Sequence, residues 1–145
     1  MDLSPSPDQE LVLAVADSSE RLLVRLEAGL SHIKGISFAE YRLLRAIALS
    51  PQQRSSRVDL AERVGLSASG VTRALQPLEK LDFVTTQRGE RDARLALATL
   101  TPDGETLVED ASAVVDDIAG AILAGAPNAS ASRETLVALL ADLTA

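Results

Sequence analysis

The sequence predicts a mainly α chain with one small β-hairpin, and three observations carry that expectation. Apolar residues recur every three or four positions along most of the 145 residues, the period of a helix buried on one face. Capping residues punctuate these stretches where helices have to start and stop. The period changes to two near residues 83–100, the mark of a pleated strand pair. Hydrophobic residues make up 46% of the chain and aromatics 2%, so the core is built from Leu, Val, Ile and Ala, which suits closely packed helices.

The elements follow in order. Residues 1–7, with Pro5 and Pro7, read as a lead-in. Residues 8–31 predict a long amphipathic helix whose stripe is Leu11, Val15, Leu22, Leu26, Leu30 and Ile33, with Ser18 as a polar break. That stripe is best covered by another helix, of this chain or of a second one. Ser37 and Glu40 form a capping box opening a helix through Leu44, Ile47 and Leu49, which Ser50 and Pro51 end. Residues 51–56 read as a loop. Ser56 and Asp59 offer a second capping box, for a helix burying Leu60, Ala61 and Val64, and Gly65 supplies its stop.

Ser67 then caps a helix over residues 68–81 with Val71, Leu75, Leu78 and Leu81 buried, and Pro77 predicts a kink or loosening near residues 73–77. Asp82 follows, tolerable in a left-handed conformation though less comfortable there than glycine. Residues 83–88 and 94–100 form the strand pair, Val and Thr favouring the first strand and alternation marking the second. Thr101 and Pro102 start a helix to about Leu123, with Leu107, Ala111, Val114, Val115, Ile118 and Ile122 along its stripe. Residues 124–132 read as a linker, and Ser130 or Ser132 caps a last helix carrying Leu136, Leu139, Leu140 and Leu143.

Composition removes several kinds of chemistry. Without cysteine there is no disulfide, thiolate nucleophile, zinc ribbon or thiol-based peroxide sensing. One histidine, His32, is too few for a His-rich metal cluster or a Ser-His-Asp triad within the chain, so neither an enzyme nor a cofactor is expected. No apolar run approaches the ~20 residues of a membrane span, and residues 1–7 lack the basic and apolar regions of a signal peptide. A cytoplasmic protein is expected.

The net charge of −7 argues against a nucleic-acid partner until its distribution is read. Residues 54–94 hold eight basic residues against six acidic ones, leaving +2; the rest hold six against fifteen, leaving −9. A locally positive module lies between acidic flanks that repel DNA and stay solvated. Within it, two short helices joined by a tight turn precede a hairpin whose tip carries Arg88, Arg91 and Arg94. That pairing can touch two DNA grooves at once.

The order of elements resembles the MarR family of bacterial transcriptional regulators along essentially the whole chain. The most specific piece is D-x-R followed by five residues and then L-T, matched in register by Asp92, Arg94, Leu100 and Thr101. The stretch over residues 60–67 and the runs at 71–73 and 78–81 also fit. Asp82 stands where the family commonly has glycine, and the tip has few of the prolines and paired basics of many members. The resemblance implies a winged helix-turn-helix lobe (37–101) flanked by an N-terminal dimerisation helix (1–36) and C-terminal dimerisation helices (102–145). It implies a homodimeric regulator of double-stranded DNA, a repressor on a pseudo-palindromic operator.

In such a lobe the exposed start of the second helix faces base edges: Ser67, Ala68, Ser69, Thr72, Arg73 and Gln76. Arg73 pairs with guanine and Gln76 with adenine, Ala68 meets a thymine methyl, and Ser67 and Ser69 donate to phosphates. In the wing, Arg91 and Arg94 are candidates for the minor groove and Arg88 for phosphate. The resemblance implies that Asp92 orients a neighbouring arginine. It also implies an effector pocket for a small aromatic or anionic molecule, whose wall would include His32, Ile33, Phe38, Tyr41 and Arg45. The competing reading is a winged helix that binds a protein partner and no DNA.

Overall fold

The structure, a computed structural model, describes residue 1 and residues 4–88 and 96–145. Helix α1 (Pro7–Lys34) starts where the Ser6 hydroxyl accepts from the Gln9 N–H, and Asp8 and Glu10 lie against the positive end of its dipole. It runs past the expected end to Gly35, which adopts φ 69° and returns its N–H to the carbonyls of Leu30 and Ser31. The extra turn carries Ile33 out to solvent, 59% exposed, and Ile36, beyond the glycine, takes the buried place. Of the expected stripe, Leu30 alone is buried; Leu11 and Leu22 face outwards.

Helix α2 (Phe38–Ala48) opens with the predicted capping box. Glu40 N–H donates to the Ser37 hydroxyl at 3.1 Å, and the Glu40 carboxylate accepts the Ser37 N–H at 2.7 Å. Tyr41, Leu43, Leu44 and Ile47 form its buried face. The expected loop over 51–56 is more ordered than that. A short 3-10 turn, Pro51–Gln53, holds Gln52 and Gln53 at φ 55° and 53° and feeds strand β1 (Arg54–Ser56). The pairing partner of β1 lies more than forty residues away, so no local pattern announces it.

Helix α3 (Arg57–Val64) is capped by Ser56 and stopped by Gly65 at φ 64°, and α4 (Ala68–Lys80) is capped by Ser67. Helix α4 runs unbroken through Pro77, whose carbonyl accepts the Leu81 N–H at 3.1 Å. Leu81, expected inside, is 64% exposed. Asp82 takes the left-handed conformation at φ 57°, as predicted. Strands β2 (Val84–Arg88) and β3 (Ala96–Leu100) pair antiparallel with Val84 opposite Leu100. Ser55 of β1 pairs with Ala98, so the sheet has three strands in the order β1-β3-β2 where a two-stranded hairpin was expected.

One aliphatic core joins the lobe: Leu44, Ile47, Leu60, Val71, Leu75, Leu78, Val84 and Ala98 are sealed from solvent. Helix α5 (Pro102–Ala124) closes it with Val108 and Ala111, starting from the predicted Thr101 cap and Pro102. Its length crosses α1, where Gly29 leaves room for Ile118. Lys34 and Asp110 pair at 2.8 Å, and the Tyr41 hydroxyl meets Ser112 Oγ at 3.3 Å. The expected linker contains a helical turn, α6 (Pro127–Ala131). Ser132 stands at the start of α7 (Arg133–Leu143) but makes no capping hydrogen bond. Helix α7 buries none of its residues, and Leu136, Val137, Leu139, Leu140 and Leu143 are all exposed. Among the described residues no helix is long and apolar enough to cross a membrane.

Candidate nucleic-acid interface

The two faces of α4 are chemically separate. Val71, Leu75 and Leu78 are fixed in the core, which turns Ala68, Ser69, Arg73 and Gln76 outwards to solvent. Its rotation is therefore set by aliphatic packing, and the outward face follows from the 3.6-residue period. The first turn of α4 carries no acidic residue, whereas α1, α2, α3, α5 and α7 each have at least one there. The positive end of the α4 dipole is left uncompensated on the surface, which favours an approaching phosphate.

The six predicted residues of this helix do not stand alike. Ser67 accepts the Gly70 N–H at 3.1 Å and lies 3.1 Å from Ser69 Oγ, so its hydroxyl serves the cap first. Thr72 is half-buried: its hydroxyl donates to the Ala68 carbonyl at 3.1 Å and accepts from Arg57 Nη1 at 3.3 Å. With its proton and one lone pair committed, Thr72 has little left for a base edge. Arg73 and Gln76 are exposed on the outer face, with side chains long enough to enter a major groove.

Arg91, Asp92 and Arg94 lie outside the described residues, as does the side chain of Arg88. The root of the wing is nevertheless defined. The Thr101 N–H donates to the Phe83 carbonyl at 3.1 Å and its hydroxyl to the Asp82 carbonyl at 2.6 Å, tying the two ends of the hairpin together.

Sequence reasoning missed Arg57. Its guanidinium reaches Thr72 and, at 3.6 Å, Glu79 of α4, and Glu79 in turn accepts the Thr86 hydroxyl of β2. No spacing rule links residues 57, 79 and 86, so the signal is tertiary.

The predicted effector wall divides. Phe38, Tyr41 and Arg45 line one cavity of about 510 Å³ between α1, α2 and α5, together with Leu22, Leu26, Arg42, Val115 and Asp116. His32 and Ile33 are exposed on the last turn of α1 and do not line it. The Phe38 and Tyr41 rings stack at 6.1 Å, and the Arg42 guanidinium sits 5.9 Å from the Phe38 ring. A second groove of about 640 Å³ shares Phe38 and Arg42 with it and is lined besides by Leu23, Val24 and Glu27 among others.

Comparison with known proteins agrees with this geometry. A family model described as the MarR family matches residues 34–95. No curated protein matches the chain by sequence. Among solved structures, the transcriptional regulator BldR of Sulfolobus solfataricus superposes with a TM-score of 0.80 at 23% identity, over 96% of this chain and 99% of its own. BpsR of Bordetella bronchiseptica, whose DNA binding is regulated by 6-hydroxynicotinic acid, gives 0.82 at 21% identity, over 97% of each chain. Sco3205 of Streptomyces coelicolor, a MarR family regulator solved in complex with DNA, gives 0.81 at 22% identity, over 97% of this chain and 91% of its own.

Proposed function

We propose that this protein is a MarR-family winged-helix regulator that binds DNA, acting as a homodimeric repressor on a pseudo-palindromic operator; the family-model match over residues 34–95 supports that reading. The observation that carries the reading is the outward face of α4, where Ala68, Ser69, Arg73 and Gln76 stand clear of the core at an acid-free helix start. Two such helices related by a two-fold axis read half-sites about one helical turn apart. The exposed apolar residues of α1 and α7, Leu11, Leu22, Leu136 and Leu140 among them, support a second copy as their cover.

Selection of bound duplexes from a randomised library tests this directly. The expected product is an inverted repeat, bound by a protein that sediments as two chains. Arg73→Ala is expected to weaken binding to the selected duplex by about 1–3 kcal/mol and to relax preference at one base pair of each half-site. Arg94→Ala is expected to cost a similar amount through the wing. Unchanged affinity at matched salt removes the residue concerned from the interface. A library that enriches no duplex, with a stable protein partner captured instead, favours the protein-interaction reading.

The cavity at Phe38, Tyr41 and Arg45 is the proposed effector site, for a small aromatic anion held by ring stacking and the Arg42 and Arg45 charges. The regulation of BpsR by an aromatic acid supports that class. To release DNA, such a ligand has to bind the DNA-free dimer more tightly than the bound one. Calorimetric titration with 6-hydroxynicotinate and related aromatic carboxylates is expected to give binding that Arg45→Ala weakens about ten-fold, the loss of one charge-assisted contact. Equal affinity of the two proteins sinks this placement.

A further inference from the structure

Four polar residues of the lobe, Arg57, Thr72, Glu79 and Thr86, form a connected cluster that the proposed DNA contacts do not use. Arg57 is the first residue of α3, and its guanidinium spans to the middle and the last turn of α4 through Thr72 and Glu79. Those two positions are seven residues apart, about two helical turns on one face. Glu79 also accepts the Thr86 hydroxyl, so the same chain of contacts continues to β2 at the root of the wing. Arg57 Nε is buried and, among the described residues, has no acceptor, which leaves the terminal nitrogens to fix the guanidinium.

We infer that Arg57 and Glu79 are positioning residues which lock the recognition helix to α3 and to the wing strand, so that both DNA-reading elements dock as one piece. The inference rests on the DNA reading and deepens it. A planar guanidinium held at two points resists rotation of α4 about its axis and tilt against α3; a single contact resists neither well. The hydroxyl of Thr72 belongs to this clamp and not to the base readers. The competing role for Arg57 is a direct phosphate contact, and the two roles predict opposite behaviour for the carboxylate beside it. If Glu79 merely sits near phosphates, neutralising it tightens DNA binding. If it holds the clamp, neutralising it loosens binding.

The test uses the full chain and a duplex selected by the wild-type protein. Arg57→Gln and Glu79→Gln are each expected to lower affinity for that duplex about ten-fold, the scale of one charge-assisted contact. Affinity for a duplex of unrelated sequence, which reports phosphate contacts alone, stays the same, as does the salt slope. A slope shallower by about 0.9 for each lobe after Arg57→Gln identifies a phosphate contact and overturns the clamp. Tighter binding by Glu79→Gln overturns it as well. Amide exchange without DNA provides the independent arm: Arg57→Gln is expected to speed exchange in α4 and β2 while α1 and α5 keep their protection. Unchanged protection of α4 refutes the clamp whatever the DNA result. A wild-type selection that enriches nothing counts against the DNA reading, and the exchange measurement then decides the clamp alone.

Discussion

Affinity for the selected operator is expected to fall about a thousand-fold or more when salt rises from about 50 mM to about 200 mM. The protein carries a net charge of −7, and a view based on total charge predicts weak or absent binding with little salt dependence. The distribution gives the opposite result. Counterions are released where phosphates are neutralised, so the local excess of +2 over residues 54–94 governs the slope, while the −9 elsewhere lies outside the proposed contact surface. Roughly three cationic contacts per lobe, doubled by a two-fold dimer, give a log–log slope of about −5. Fluorescence anisotropy across a salt series measures it. A flat profile sinks the DNA reading, and a slope near half that value points to one lobe engaging at a time.

Gly104→Ala is expected to destabilise the fold by about 3 kcal/mol, at the upper end of ordinary overpacking. A Cβ at this position would lie 2.0 Å from the Phe83 carbonyl oxygen and 3.0 Å from its carbon. Both obstacles are backbone, so no side chain can swing aside. The same carbonyl accepts the Thr101 N–H, and Thr101 caps α5, so relief of the clash has to open the junction between wing root and helix. Urea unfolding reads the loss as a lower midpoint at unchanged slope. An unshifted midpoint means that α5 can slide away from Phe83 freely, contrary to the packing described. DNA affinity should fall as well, because the wing is rooted at that junction.

Much of this architecture was legible because its signals are local. Ser37 with Glu40, Gly65, Ser67, Thr101 with Pro102, and Asp82 each do at their own position what their chemistry favours. What the sequence did not reveal depends on distant partners. Strand β1 exists because Ser55 meets Ala98, and residues 51–56 alone carry only turn-forming signals. Ile33 continues the helical stripe in sequence, yet the helix outlasts its contact with the core and hands the buried place to Ile36. For the same reason His32 leaves the predicted wall while Phe38, Tyr41 and Arg45 stay on it. On α4 the periodic pattern separated inside from outside. It did not separate Thr72, held by Arg57, from Arg73, which faces solvent.

The strand order β1-β3-β2 gives the wing the mechanics of a cantilever. Strand β3 is bonded along both edges and built into the body, whereas β2, among the described residues, pairs with β3 alone. The seven residues 89–95 therefore join a fixed beam to a lighter one. The register of β3 against β1 is set by residues 54–56 and 97–99, so insertions, deletions or exchanges at 89–95 are expected to leave it untouched. On the proposed DNA reading, the wing's reach is then open to retuning by mutation independently of the lobe that supports it, a convenient separation for a scaffold that meets new operators.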